Sequence, residues 1–379
     1  MKIGIYTQPL RYNYGGLLQA WALQTVLRRM GHEVVTFDPN PYYRLPWKVK
    51  PMVYMKRLVR LALGKYCIVR LEEKNSREHD IKIKYLKPFI EKYINRKEIK
   101  NICDYCPDDF DAIIVGSDQV WRPMFNCTEG RTLENSFLDF TEKWNVLRIA
   151  YAASFGTDKW EYNRKQTKKC SILAKRFSAI SVREISGINL CETFLGVRAI
   201  QVLDPTMLLH RDDYEKLIKN GNNITEPKGD LLCYVLDETE ETSFLIKRIA
   251  RERNLIPFQA NSKVEDCHAD IDKRIQKPVE QWLNNFKAAK FVITDSFHAC
   301  VFSIIFGKPF IVIANPKRGT ARYESLLSLF SLKNHLIFSP DEYNMKSNYE
   351  IDEVVFKKLN DLRQLSFQFL TESLKQTNS

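Results

Sequence analysis

The chain has 379 residues and carries 58 Lys and Arg against 46 Asp and Glu, a formal net charge of +12. Apolar residues make up 44% and charged residues 27%, close to the globular norm, which excludes a wholly disordered or fibrous chain. The length suits two or three domains of ~100–200 residues, and the excess charge is local: positions 44–100 hold 17 Lys/Arg against 6 Asp/Glu.

In chain order, a β-branched run at 2–7 predicts the first strand. A turn, Asn13-Tyr14-Gly15-Gly16, leads into a helix over 17–30, which Gly31 ends, and 32–38 reads as the second strand. This is a Rossmann-type opening without G-x-G-x-x-G, so a dinucleotide site is not supported. Further strands are expected at 112–117, 149–154, 179–183 and 199–203. The stretch 210–229, with Asn220-Gly221-Asn222-Asn223 and Pro227, reads as the inter-domain linker. A second unit follows, with strands at 231–236, 256–259, 291–294 and 310–313 and helices at 239–253, 279–289, 297–306 and 322–331; an amphipathic helix spans about 350–375. The alternation predicts an α/β fold of two Rossmann-like domains facing across a cleft. The first covers 1–209 with a basic insert at about 44–100, and the second covers 229–349. The segment 350–379 forms a C-terminal helix that can pack back on the first domain.

The N-terminus lacks the basic, apolar and small-residue regions of a signal peptide, and no run approaches the ~20 apolar residues of a membrane span. Nine cysteines form one C-x-x-C, Cys103 and Cys106, with no second pair, so a surface turn is favoured there over zinc. A reduced, cytoplasmic protein without a metal site is the expectation.

Ligands in doubly wound sheets sit beyond the carboxyl ends of the strands, so the polar residues there are the site candidates. They are Asn13-Tyr14-Gly15-Gly16, Ser117 and Asp118, Ser154, Arg183, and Asp295-Ser296-Phe297-His298. Each has a plainer reading: the glycines as a tight turn, Ser117, Asp118, Asp295 and Ser296 as helix caps, Asp204-Pro205 as a turn initiator. His298 is less easily dismissed. It falls in the first turn of a helix, where the dipole disfavours imidazolium, and a neutral imidazole near Asp295 is poised for proton transfer. Arg183 after a buried-looking strand, with Arg318 and Arg322 further on, adds positive charge suited to a phosphate or carboxylate.

Taken together, Asn13-Tyr14-Gly15-Gly16-x-x-Gln19-Ala20-x-Ala22-Leu23, Gly116-Ser117-Asp118-Gln119-Val120-Trp121, Tyr151-Ala152-Ala153-Ser154-Phe155-Gly156, Ser181-Val182-Arg183-Glu184, Leu203-Asp204-Pro205-Thr206 and Asp295-Ser296-Phe297-His298 resemble the polysaccharide pyruvyl transferase family. The resemblance implies a GT-B-like pair of Rossmann domains. It also implies transfer of the enolpyruvyl unit of phosphoenolpyruvate onto two hydroxyls of a sugar, giving a cyclic pyruvate ketal and phosphate. In the family, an Arg-Leu-His triplet supplies an arginine that grips phosphoenolpyruvate and an acid/base histidine. Here the triplet reads Ser296-Phe297-His298, so the histidine is kept and the arginine is absent. Arg183, Arg322 and Lys308 are the substitutes to test.

On this reading His298 exchanges protons with the donor and Asp295 orients it. Asp118 is the base for an acceptor hydroxyl, and Asn13, Gly15 and Gly16 shape the acceptor side. Neither a metal nor a cofactor is required if cations hold the donor's anionic groups. A GT-B glycosyltransferase using a nucleotide sugar is the alternative. Between Trp47 and Arg70 no acidic residue occurs, and Lys56, Arg57 and Arg60 interleave with Met52, Met55, Leu58 and Val59. Such a segment can lie on an anionic membrane surface, where a lipid-diphosphate-linked sugar would be met; a helix packed on the first domain with a solvated basic face explains it equally. With the rest of the chain near neutral and no recognition motif visible, nucleic acid is not expected as a partner.

Overall fold

The computed structural model describes residues 1–39, 45, 47, 49–99, 109–126, 132–315 and 318–375. Cys103 and Cys106 fall outside the described residues, as does Lys48 of the basic segment.

The first domain is built on a seven-stranded sheet: β1 (Lys2–Tyr6), β2 (Glu33–Pro39), β3 (Arg96–Ile99), β4 (Ala112–Val115), β5 (Leu147–Ala153), β6 (Ala179–Val182) and β7 (Ile200–Gln201). Its order is β3-β2-β1-β4-β5-β6-β7, and every pairing is parallel. The central strands β4 and β5 are buried along their whole length, as expected for a sheet covered on both faces. The second domain carries β8 (Leu231–Tyr234), β9 (Pro257–Gln259), β10 (Phe291–Thr294), β11 (Phe310–Ile313) and β12 (Leu336–Ile337). They are ordered β12-β11-β10-β8-β9 and are again all parallel. The two-domain α/β architecture with Rossmann-like sheets read from the sequence is the one found.

In each sheet the strand order reverses at one point, between β1 and β4 in the first and between β8 and β10 in the second. Loops diverge there and leave a crevice at the carboxyl ends of the strands. The first crevice is bounded by Asn13–Gly16 and Gly116–Asp118, the second by Leu236–Glu238 and Asp295–His298.

Three details depart from the sequence reading. The stretch expected as a linker, 210–229, opens with a helix, Arg211–Lys219, whose Tyr214, Leu217 and Ile218 are buried at helical spacing. Arg29 grips its Asp213 with bonds of 2.9 and 2.7 Å. The basic insert is also partly integral to the sheet. It supplies the edge strand β3, whose Arg96 pairs with Asp38 of β2 at 2.7 Å. The strand expected at 199–203 is reduced to two residues, and Val202 and Leu203 turn into the core.

The helix Glu353–Lys375 returns to the first domain. Arg363 there donates to the carbonyls of Met207 at 2.6 Å and Leu209 at 2.8 Å, and Ser366 Oγ accepts from Leu203 N. Among the described residues no helix is long and apolar enough to cross a membrane.

Candidate functional site

Between the two crevices lies a cleft of 1080 Å³, lined from the first domain by Tyr12, Asn13, Gly15, Asp118, Gln119 and Arg122 and from the second by Leu236 to Glu240, Asn261 to Asp266, Asp295 to His298, Arg318 and Arg322. Residue 13 opens α1 (Tyr14–Arg29). Its side chain accepts from Gly16 N at 3.3 Å, an ordinary N-cap that also leaves it exposed at the cleft edge.

Gly15 has a sharper reason. A Cβ at this position would lie 2.0 Å from Nδ1 of His298 and 2.3 Å from its Cγ. The first turn of α1 is therefore the wall against which the imidazole of the other domain rests. A Cβ at Gly16 would by comparison make only ordinary contacts, with Asn13 at 3.6 Å and Asp118 Oδ2 at 3.7 Å.

His298 sits in the first turn of the helix Phe297–Phe306 and is 6% exposed. Its Nε2 has no hydrogen-bond partner and lies 3.7 Å from Oδ2 of Asp204. Asp295, expected to orient it, is engaged elsewhere. One of its oxygens accepts from Leu236 N at 2.7 Å, the other from Asp237 N at 3.1 Å and Asn315 Nδ2 at 2.9 Å. Burial raises its pKa, and it serves to fix the loop after β8 and the loop after β11 to each other. The carboxylate beside His298 is Asp204.

Asp204 is 2% exposed and saturated with donors. Arg183 Nη1 reaches Oδ2 at 2.7 Å, and Ser117 Oγ is 3.1 Å from the same oxygen. Thr206 supplies its N–H at 3.0 Å and its hydroxyl at 2.6 Å to Oδ1. Burial opposes ionisation here, but His298, Arg183 and Thr206 together outweigh it and hold the carboxyl well below the usual range. In the sequence this residue read as a turn initiator; a carboxylate at a strand end followed by Pro and Thr was the available signal.

Two arginines lie against the same helix turn with donors to spare. The Arg183 guanidinium sits 4.3 Å from the Phe297 ring centre, and Nη2 is 3.8 Å from Asp118 Oδ1; its Nε and Nη2 are buried without hydrogen-bond partners. Arg322 lies 5.9 Å from the same ring on the other domain, and its Nε is likewise unpartnered. Burial first, then the charge of Arg183, push the Arg322 guanidinium down to about 10. Arg322 lines the cleft and Arg183, already paired with Asp204, does not; each keeps an unused N–H and their mutual repulsion favours an anion near them. The adjacent helix end strengthens this preference, because Ser296 makes no side-chain cap bond to the first-turn N–H groups of helix 297–306.

Several of the other candidates fall away from the cleft surface. Tyr14 is 1% exposed. Its hydroxyl donates to the Lys277 carbonyl at 2.9 Å and its ring stacks on Trp282, so it clamps the two domains instead of meeting a ligand. Ser117 lies beneath Asp204. Ser154 donates to Glu184 Oε1 at 2.9 Å and is fully buried. Lys308 precedes β11 and so stands at the amino end of that sheet, opposite the cleft, beside Arg211 and Lys287. Arg318 borders the cleft but is spent on Asp237, at 2.7 and 3.2 Å, and on Glu265 at 2.8 Å. Asp118 does face the cleft. Its Oδ1 accepts from Gln119 N at 2.9 Å, and its backbone holds a left-handed φ of 63°. Among the described residues no group of three His, Cys, Asp or Glu side chains is placed to hold a metal ion.

The family model for polysaccharide pyruvyl transferase matches residues 13–317, which takes in the cleft lining except Tyr12, Arg318 and Arg322. No curated protein matches the chain. Among solved structures, UDP-GlcNAc 2-epimerase from Neisseria meningitidis bound to UDP-GlcNAc is similar over 100% of this chain and 95% of its own, at 10% identity and a TM-score of 0.45. UDP-GlcNAc 2-epimerase from Methanocaldococcus jannaschii is similar over 95% and 92%, at 12% identity and 0.46. Arabidopsis thaliana UGT89C1 complexed with UDP-L-rhamnose is similar over 97% and 94%, at 10% identity and 0.46.

Proposed function

The chain belongs to the polysaccharide pyruvyl transferase family, a transferase family whose acceptors are sugars, and on that premise we propose that its donor is phosphoenolpyruvate and its product a cyclic pyruvate ketal. The observation that carries the reading is that Arg183 and Arg322, both buried and both near the ring of Phe297 next to His298, keep N–H groups without partners. They supply the cationic grip that Ser296 cannot. Phosphoenolpyruvate brings two anionic groups, a carboxylate and a phosphate, and two guanidinium forks are matched to them.

The chemistry follows from these positions. His298 gives a proton to the methylene carbon of the enol phosphate, leaving an oxocarbenium-like centre at the adjacent carbon. Asp204 steadies the imidazolium before transfer, which its depressed pKa suits it to do. A sugar hydroxyl adds to that centre and gives its proton to Asp118. The carbon–oxygen bond to phosphate then breaks, the electron pair leaves with phosphate, and the second hydroxyl closes the ring, giving its proton to the now neutral His298. Arg183 and Arg322 hold the charge on the departing phosphate throughout. Asn13 and the Gly15 edge shape the acceptor side, and Asp295 keeps the loop after β8 in place.

The test is to supply the purified chain with phosphoenolpyruvate and a panel of glycan precursors, reading inorganic phosphate and the methyl resonance of a ketal. Phosphate and ketal released together are expected. Sugar transfer from a nucleotide sugar, with phosphoenolpyruvate inert, would establish the glycosyltransferase alternative.

A further inference from the structure

The insert between β2 and β3 carries α2 (Lys50–Ala62) and α3 (Leu71–Lys82), followed by a short helix, Lys87–Tyr93. One side of α2 is held down. Arg57 forms a two-pronged bond to Glu72 at 2.7 and 2.6 Å and reaches the Val69 carbonyl at 2.9 Å, and Tyr54 donates to Glu73. The insert is in turn tied to the second domain, through Arg274 to Glu78 at 2.7 Å and through the contact of Tyr66 with His268. Yet no residue of α2 is buried.

Its outward side carries an apolar stripe. Met52, Met55 and Val59, with Leu63 at the C-cap, recur at intervals of three and four and are 60%, 65%, 53% and 69% exposed. Residues at this spacing line one face of a helix. Lys56 and Arg60 flank the stripe on one side, exposed and without an ion pair among the described residues, while the acidic partners of the insert are all on the α3 side.

We infer that α2 is an interfacial helix by which the protein docks on an anionic lipid bilayer, its methionine–valine–leucine stripe in the acyl boundary and Lys56 and Arg60 at the headgroups. A monomer gains nothing from holding such a stripe in water, and flanking cations without counter-charges favour an acidic lipid surface over a neutral apolar partner. The contact is independent of which donor the cleft uses. It also sets the cleft beside the membrane, because the segment that α3 and Tyr66 hold, residues 268–274, adjoins the cleft residues Lys263 to Asp266.

Flotation of the full-length chain with vesicles of phosphatidylglycerol mixed into phosphatidylcholine tests this. The wild-type chain is expected to rise with the mixed vesicles, to rise far less with phosphatidylcholine alone, and to lose binding as salt is raised. The double substitution Met55→Glu, Val59→Glu is expected to reduce the bound fraction about tenfold or more with an unchanged melting temperature, since neither side chain is buried. Lys56→Gln with Arg60→Gln, which alters only solvated side chains, is expected to weaken binding by about fivefold for each charge removed. Wild-type chain that fails to float with anionic vesicles, or variants that float like wild type, overturn the assignment. A concentration-dependent dimer seen in sedimentation without vesicles and abolished by Met55→Glu, Val59→Glu gives the stripe to a second copy of the chain, and overturns it too.

Discussion

Gly15→Ala is the substitution that separates a site assembled across two domains from a mere helix turn. Inside a helix, alanine in place of glycine favours folding by about 1 kcal/mol, and Gly15 has no left-handed φ to forbid it. The new Cβ, however, meets three atoms of the His298 ring at 2.0, 2.3 and 2.5 Å. Ordinary carbon contact requires the ring to withdraw by about 1.5 Å or the domains to part by as much. A displacement of about 1 Å at a reacting group costs on the order of a hundredfold in rate, close to 2.7 kcal/mol of barrier. Gly16→Ala provides the control, because its Cβ would make only ordinary contacts at 3.6 and 3.7 Å. The assay is steady-state turnover of both variants with melting curves alongside. Gly15→Ala is expected to lose about two orders of magnitude in kcat without a matching loss of stability, and Gly16→Ala to stay near wild type. A fully active Gly15→Ala, or equal damage from both, would refute the packing of His298 on α1 as a determinant of activity.

Arg322→Ala is expected to raise the KM for donor by about tenfold or more, with kcat less affected, since it removes a charge-assisted grip on the ground-state anion; kinetics with varied donor read this directly. Lys308→Ala leaves the same parameters unchanged, because the side chain stands at the far end of the sheet. Asp204→Asn removes the acceptor of Arg183 and the neighbour of His298 and is expected to cost about 3–5 kcal/mol in urea unfolding, as for a broken buried pair. The same variant has a pH signature. The Asp204 carboxyl titrates below its unfolded value in the folded chain, so its stabilisation is present above about pH 4 and drains away as pH falls further. Wild-type stability is therefore expected to fall more steeply below that pH than that of Asp204→Asn.

His298 and Arg183 were legible in the sequence because each lies at a strand end, where a doubly wound sheet exposes its ligand crevice. What a strand end does not reveal is which way a side chain turns. Ser117 and Ser154 sit at the same kind of position as Asp118, yet both point into the layer beneath, to Asp204 and Glu184. Asp295 illustrates the same limit. Three residues before the histidine, it looked like its partner, but its oxygens are taken by the backbone of Leu236 and Asp237. The partner comes from another domain, 94 positions away in the chain, where only tertiary packing could place it. Lys308 departs from the expectation for a simpler reason: a helix of ten residues carries the chain from the carboxyl end of the sheet back to its amino end. The helix in 211–219 could have been read from Tyr214, Leu217 and Ile218, but the Asn- and Gly-rich run after it drew the whole stretch into a linker.

The central claim is that Arg183 and Arg322 hold phosphoenolpyruvate beneath His298. Calorimetric titration of the purified chain with phosphoenolpyruvate, repeated on Arg322→Ala and with a UDP-sugar in its place, tests it most directly. Saturable binding of phosphoenolpyruvate, competed by inorganic phosphate and lost in Arg322→Ala, is the expected result. A chain that binds the UDP-sugar and ignores phosphoenolpyruvate, or an Arg322→Ala variant that binds it as tightly as wild type, would contradict the claim.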